Sequence, residues 1–409
     1  MSRVDELIRE LCPDGVPYRS IGEIAECYSG ATPASGVVAY WEGGTIPWMS
    51  SGEVNKGTVY NTDKKTTQTG YDSCSTRMVP PDAVVIALAG QGKTRGTVAR
   101  TRIALCTNQS LCSIISNESI NSDFLYYYLR TQYQQLRSVS SGDGTRGGLN
   151  RQMIRDYRVP VPPLAVQQEI VRVLDLFTTL EAELEAELEA RRRQYAHYRD
   201  SLFTFRDVRG IRWVPMGELG EFIRGRRFTK RDVVEEGIPA IHYGEIYTRY
   251  GAVTRSVATH LQSGLASGLR YARHGDVVIV DVGETVEDVG KAVAWLGEGD
   301  IAIHDHSFAF RHSENPSYLS YYMQTAAFRH QKAQYVARTK VKTLSMPGIA
   351  KILIPIPSAE EQARIVEILD KFDALVNDLS IGLPAELAAR RRQYEYYRDR
   401  LLTFEEAVA

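Results

Sequence analysis

At roughly 100–200 residues per domain, a chain of 409 residues suggests about two to four domains. Its 43% hydrophobic and 24% charged content is that of an ordinary globular protein, and a net charge of −1 excludes a uniformly basic or acidic polyelectrolyte. No stretch approaches the ~20 apolar residues a membrane span needs. The opening "MSRVDELIRELCPDG" carries acidic residues and no apolar export core, so a cytoplasmic location is expected.

The five cysteines, Cys12, Cys27, Cys74, Cys106 and Cys112, form no CxxC pair and are expected as reduced, mostly buried thiols rather than as a metal or redox site. The near-zero net charge hides a pattern. Residues 1–158 carry +2, residues 159–205 carry −3, residues 206–357 carry +4 and residues 358–409 carry −4. Basic blocks alternate with acidic ones, which leaves room for a polyanionic partner.

In chain order, "AVVIAL" at 83–88 reads as a buried strand and a helix is expected over 122–137. "VPVPP" from Val159 closes this first block, because proline continues neither helix nor central strand. A long amphipathic helix follows. Ile170, Leu174, Phe177, Leu180, Leu184, Leu188, Tyr195, Tyr198 and Leu202 recur at spacings of three, four or seven, which is one apolar stripe. Within it "EAEL" repeats and stops at "RRR".

Then the order begins again. "MGELGEFIRG" at 216–225 echoes "IGEIAECYSG" at 21–30, and "IPAIHYGEI" at 238–246 echoes "IPWMSSGEV" at 46–54. "DVVIVD" at 276–281 is the second buried strand, and a helix is expected over 316–335. "IPIPSAEEQARIVEILDKF" from Ile354 repeats "VPVPPLAVQQEIVRVLDLF", and "RRRQYEYYRDRLLTF" from Arg390 repeats "RRRQYAHYRDSLFTF". The second stripe runs through Ile365, Leu369, Phe372, Leu375, Leu379, Leu383, Leu387, Tyr394, Tyr397 and Leu401, with four added residues containing Gly382 and Pro384. Glycine suits a helix stop and proline a first helical turn, so a break is predicted at about 380–385.

The chain is a tandem repeat. The fold class expected is α+β: two pseudo-symmetric mixed α/β domains separated by two long antiparallel helices, a coiled-coil-like spacer. The expected boundaries are 1–160 for the first domain with a short N-terminal helix, 161–206 for the first long helix, 207–356 for the second domain and 357–409 for the second long helix. Leu174, Phe177, Leu184, Leu188, Tyr195, Leu369, Phe372, Leu379, Leu387 and Tyr394 are the expected partner or helix interface. "RVDELIREL" aligns Asp5 with Asp200 and Leu7 with Leu202, so it is expected near the end of the C-terminal helix.

This layout, with two domains each leading through "PLAVQQEIV" or "PSAEEQARIV" into a helix closing on the "RRRQY" stretch, resembles the specificity subunits of type I restriction–modification systems. The start "ELCPDGVPYRSIGEI" fits the same family, and the resemblance covers the whole chain. It implies target-recognition domains that each read one half of a split, asymmetric site in double-stranded DNA, and helices that set the gap and dock two methyltransferase subunits. Restriction–translocase subunits are further implied partners. The resemblance implies no catalysis, metal or cofactor in this chain, with S-adenosylmethionine and ATP confined to the partners.

Candidate DNA-facing residues lie where the two copies diverge between matching flanks. Base reading calls for polar or basic side chains at groove edges. The first place sets "SGATPAS", with Thr32, against "RGRRFTKR", with Arg224, Arg226, Arg227, Lys230 and Arg231, for which phosphate contact is favoured over base contact. The second sets Trp48, Ser50 and Ser51 against Ala240, His242 and Tyr243; the alternative is a structural turn with Trp48 in the core. The third is "GQGKTRG", with Lys93, Thr94 and Arg95, which nearly imitates a phosphate-binding loop but has Ala87 where that pattern needs glycine. The fourth sets Thr145, Arg146 and Arg151 against Arg338, Lys340 and Lys342. In "HDHS" against "NQS", His306 is expected to be the equivalent of Gln109, both at the polar edge of a recognition strand. The recurring "RRR" suits a phosphate clamp, a contact to a partner's acidic face or a solvated turn.

No Asn/Asp-Pro-Pro-Tyr/Phe tetrapeptide of an amino-methyltransferase is present, and "VPPL" at 161–164 lacks both its amide and its aromatic. Two alternatives stay open: the specificity or adaptor component of another methylation-based defence complex, and a coiled-coil scaffold that binds no DNA.

Overall fold

The structure is a computed structural model that describes residues 3–90, 94–139, 148–205, 210–377 and 382–407. The chain divides into two compact units, residues 1–182 with 389–409 and residues 183–388. Each unit joins one domain to the opening stretch of its own long helix and the closing stretch of the other's.

In the first unit the main sheet runs Ala25–Ser29, Leu111–Ser116, Val84–Ala87, Val98–Thr101, Thr58–Val59. In the second it runs Gly220–Arg224, Ser307–His312, Val277–Val280, Ala292–Trp295, Val253–Thr254, the same order. Only the last pairing of each is parallel. Val84–Ala87 and Val277–Val280 are buried along their whole length, as continuous apolar runs require. A second sheet carries Lys64–Thr66, Ile46–Met49 and Cys106–Thr107 in the first unit, and a five-stranded counterpart around Ile238–Ile241 in the second. This is the mixed α/β repeat that the sequence predicts.

Each expected domain helix is two helices. Ser122–Thr131 and Tyr133–Ser138 part at Gln132; Pro316–Met323 and Ala326–Ala333 part at Gln324. The second break has a local cause, since Thr325 caps a new start by accepting from Phe328 N.

The first long helix is Leu164–Leu202, starting directly after Pro162 and Pro163. The second is divided into Ala359–Asn377 and Leu383–Leu401. Gly382 lies outside both, its carbonyl accepts from Ala385 N, and Pro384 sits in the first turn of the closing helix. Residues 378–381, including Leu379, lie outside the described residues.

The same two side chains fasten each helix to its domain. Gln167 is buried, accepts from Asn121 N at 2.7 Å and donates to Pro162 O at 2.6 Å; Gln362 accepts from Asn315 N and donates to Pro357 O, both at 3.1 Å. About two turns further along each helix, Tyr127 OH donates to Asp175 and Tyr321 OH donates to Asp370 at 2.7 Å.

Within the first unit the opening of one long helix packs on the close of the other. Phe177 lies on Tyr397, and Arg391 pairs with Glu181 at 2.7 Å. Going forward from Phe177 to Glu181 means going back from Tyr397 to Arg391, so these stretches are antiparallel. In the second unit Tyr198 stacks on Phe372.

The N-terminal helix Arg3–Leu11 sits at the end of the C-terminal helix, as its alignment predicts. Arg400 pairs with Asp5 at 3.3 Å, and Val16 N donates to Glu405 O at 2.8 Å. Gly15 stands at φ +94°, and a Cβ there would meet Ala407 N at 2.9 Å, so this crossing needs glycine. Of the five cysteines, all with free thiols, Cys12, Cys106 and Cys112 are buried and Cys27 and Cys74 half-buried. No helix among the described residues is long and apolar enough to cross a membrane.

Candidate nucleic-acid interface

In the second unit the divergent stretches converge on one rim of the main sheet. The strand Gly220–Arg224 ends there, and Gly225 lets the chain turn; a Cβ on it would lie 2.1 Å from His304 O. Gly30 is the matching residue, where a Cβ would lie 1.8 Å from Thr107 O. Substituting either displaces the loop that follows.

Arg224 projects from the strand end. Its Nη2 donates to the Asp281 carboxylate, its Nη1 donates to Asp305 O at 3.1 Å, and its guanidinium lies 4.8 Å from the centre of the Phe308 ring. Asp281 is almost fully buried while the Arg224 side chain is 51% exposed. Burial pushes the Asp281 carboxyl up, against the pull of Arg224 and His306. His306 Nδ1 stands 3.7 Å from Asp281 Oδ1.

His306 is 5.3 Å ring to ring from Tyr243, which is 4.5 Å from His242 and 5.0 Å from His304. His304 is buried, with Nε2 at 3.2 Å from Phe228 O and Nδ1 accepting from His306 N. Burial pushes this imidazole down to about 4, and the adjacent Asp305 carboxylate only partly opposes it. The ring is neutral near pH 7. The hairpin of Val336–Ala337 and Lys342–Leu344 joins the same rim: Gly283 pairs with Lys342, and Leu344 N donates to Asp281 O at 2.8 Å.

Four of the second unit's candidates, Arg224, His242, Tyr243 and His306, are therefore brought together, with Lys342 adjacent. Arg226, Arg227, Lys230, Arg338 and Lys340 are exposed, and among the described residues their side chains make no hydrogen bond or ion pair. Arg231 is exposed as well.

The first unit's rim carries different side chains at the matched positions. Thr32 Oγ1 donates to Gln109 Oε1, joining two candidates 77 positions apart. Trp48 is buried, donates Nε1 to Ala31 O at 3.1 Å and packs edge-on to Trp41. A side chain so placed belongs to the core. Ser50 caps the 3-10 helix Ser51–Lys56 through a reciprocal pair with Glu53, and His242 caps Tyr243–Thr248 with Glu245 in the same way. Part of this divergent loop is thus a structural turn, leaving Ser51 and Tyr243 as its half-exposed members.

The "GQGKTRG" stretch connects Val84–Ala87 to the antiparallel strand Val98–Thr101, whereas a phosphate-binding loop leads from a strand into a helix. Thr94 and Arg95 are half-buried, and Arg95 Nε is buried with no hydrogen-bond partner among the described residues. Arg151 is exposed at the start of the helix Arg151–Asp156. Lys93, Thr145 and Arg146 lie outside the described residues.

Strand register corrects one equivalence. Ser29 pairs with Cys112 and Arg224 with Phe308, while Leu88 N donates to Ser110 O as Asp281 N does to His306 O. His306 therefore matches Ser110, and Gln109 matches Asp305. The shared serine in "NQS" and "HDHS" suggests an alignment one residue off. Asp281 and Phe308 were not among the sequence candidates. Asp281 had a readable signal, as a carboxylate directly after a strand whose other copy is followed by Leu88.

On the long helices Leu174, Leu188, Tyr195, Leu369 and Leu387 are buried, and Phe177, Leu184, Phe372 and Tyr394 are half-buried. Leu180, Tyr198, Leu375 and Tyr397 belong to the stripe by spacing yet are exposed. Both "RRR" runs lie inside helices rather than in turns. Among the described residues no group of three His, Cys, Asp or Glu side chains is placed to hold a metal.

Residues 13–190 and 212–389 each match the type I restriction modification DNA specificity domain family. Over 294 residues, 69% of this chain and 70% of the relative, the chain is 31% identical to the EcoR124I/EcoR124II type I restriction enzyme specificity subunit of Escherichia coli. Over 386 residues, 89% of each, it is 23% identical to the EcoprrI specificity subunit of the same species. A chain from a solved structure on complex assembly and conformational transition of a type I restriction–modification system superposes with a TM-score of 0.65 at 17% identity, covering 95% of this chain and 98% of that one. The specificity subunit from M. genitalium superposes with a TM-score of 0.51 at 15% identity, covering 95% and 96%. With both halves matched, the chain belongs to the type I restriction–modification DNA specificity family and is a specificity subunit with two target-recognition domains.

Proposed function

We propose that each domain reads one half of a bipartite, asymmetric site in double-stranded DNA through the rim described above, and that the long helices set the unread gap. One observation carries this reading. The residues that fasten helix to domain are the same in both copies, Gln167 with Gln362 and Asp175 with Asp370. The rim residues at matched positions differ: Ser29 against Arg224, Leu88 against Asp281, Ser110 against His306, Ser51 against Tyr243. A shared frame with unlike polar edges suits two unlike half-sites. Exposed cations such as Arg226, Arg227, Lys230, Arg338 and Lys340 suit phosphate contacts, which supply affinity without sequence information.

Two methyltransferase subunits would dock on the helices and domains, and restriction–translocase subunits would join in a full complex; catalysis, S-adenosylmethionine and ATP would belong to these partners. Gel shift of the chain with purified methyltransferase subunits on randomised duplexes, followed by sequencing, tests the reading. Two short fixed sequences separated by a constant unread gap are expected. Retention of duplexes without any shared sequence would leave a scaffold that does not read DNA.

A further inference from the structure

Arg224 differs from its basic neighbours. Arg226, Arg227 and Lys230 are exposed with no side-chain partner among the described residues, the state of a cation that can follow a phosphate. Arg224 is held on three sides, by the buried Asp281 carboxylate, by Asp305 O and by the face of Phe308, while half its side chain stays open to solvent. A guanidinium has five N–H groups. Two are used here, one on each terminal nitrogen, so three remain. Fixing a side chain of high rotamer entropy in one orientation gains nothing for a point-charge contact, but it is what a directional hydrogen-bond pair to a base edge requires. The carboxylate and the cation are both peculiar to this copy, because the first copy has Ser29 and Leu88 at the matching positions.

We infer that Arg224 is a base-reading residue of the second domain, that it recognises a guanine through the N–H groups left free by Asp281 and Asp305, and that Asp281 and Phe308 are its positioning residues. Guanine is the base whose major-groove edge offers two acceptors, O6 and N7, to such a fork. This rests on the proposed function and deepens it: the second half-site contains a G·C pair read by Arg224, and the first half-site has no counterpart of that contact.

The test is selection from a randomised duplex library by the full chain in complex with its methyltransferase subunits, for wild type, Arg224→Lys, Arg224→Gln and Asp281→Asn. The wild type is expected to select a G·C pair at one position of one half-site. Arg224→Lys keeps the charge but loses the fork, so it should lower discrimination at that pair by roughly ten- to hundredfold. The other positions and the gap should stay unchanged. Arg224→Gln should do the same, and Asp281→Asn should relax the same position although Asp281 does not touch DNA. Breaking the pair with the buried Asp281 is expected to lower stability, so each variant is first shown by its melting curve to be folded at the selection temperature. Unchanged base preference in Arg224→Lys, or an equal loss on every sequence, overturns the inference while a bipartite wild-type consensus keeps the proposed function standing. Absence of any bipartite consensus from the wild type removes the proposed function and this inference together.

Discussion

Phe177 stacks on Tyr397 with ring centroids 5.7 Å apart and 24° between planes, and Phe372 stacks on Tyr198 with the same two values. The two pairs are the same contact made twice. Phe177 and Phe372 are matched positions in the opening of each long helix, and Tyr397 and Tyr198 are matched positions in the close of each. Each repeat thus gives one ring to its own unit and one to the other.

Phe177→Ala and Phe372→Ala should each cost about 1–3 kcal/mol, the range for losing a half-buried ring and its aromatic partner. Equilibrium denaturant unfolding of the full chain measures this. Losses of similar size are expected from the two variants. A loss in only one would show that the repeated geometry does not carry a repeated energy.

The buried amides Gln167 and Gln362 each hold the backbone N–H of a helix-capping asparagine. Replacing either with leucine strands that N–H and the carbonyl the amide served, at a cost of about 1–3 kcal/mol. Unfolding midpoints unchanged from wild type would mean that the amides are dispensable to helix attachment.

Arg100 bridges Asp123 at 3.0 Å and Asp175 at 3.2 Å beneath the first long helix. The matched residue in the second unit is Ala294, which cannot make such a bridge. Arg100→Ala should therefore destabilise the first unit by roughly 1–3 kcal/mol, discounted because Asp175 is partly exposed. A change within error would show that Asp123 and Asp175 are solvated well enough without it.

His304 is held neutral, at about 4 against an ordinary 6.5, with burial as the main cause. Burial also lowers His242 and His312. A histidine whose folded pKa is depressed contributes stability that is present above the unfolded value and is lost as pH falls toward the folded one. Thermal melts of the full chain should therefore shift downward between about pH 6.5 and pH 4, and His304→Gln should flatten that slope. A slope identical to wild type in His304→Gln would assign the acid sensitivity to other groups.

Much of this architecture was legible because the chain states it twice. Apolar spacing located the long helices, continuous β-branched runs located Val84–Ala87 and Val277–Val280, and Gly382 with Pro384 marked the start of the closing helix. Thr32 and Gln109 were both named as candidates, but only folding joins them, since loop positions 77 apart carry no common pattern. Trp48 diverges from Ala240 for a packing reason, and divergence alone does not separate that from recognition. The one-residue slip at His306 arose because strand register is set by pairing with Arg224 and Asp281, not by a shared serine. Asp281 and Arg100 act through contacts distant in sequence, which periodicity does not encode.

If the helix sets the distance between two readers, its length sets the unread gap. Residues 185–188 are one Glu-Ala-Glu-Leu block of the continuous helix Leu164–Leu202. Removing four residues shortens a helix by about 6 Å, against about 3.4 Å per base pair of duplex. Parallel selection from one randomised duplex library by the wild-type complex and by the 185–188 deletion tests the claim most directly. The expected result is the same two half-sites in both, with the gap shorter by about one to two base pairs in the deletion, or loss of binding when the turn of the helix misaligns the readers. Selection of the same half-sites at the same gap by both proteins would contradict it.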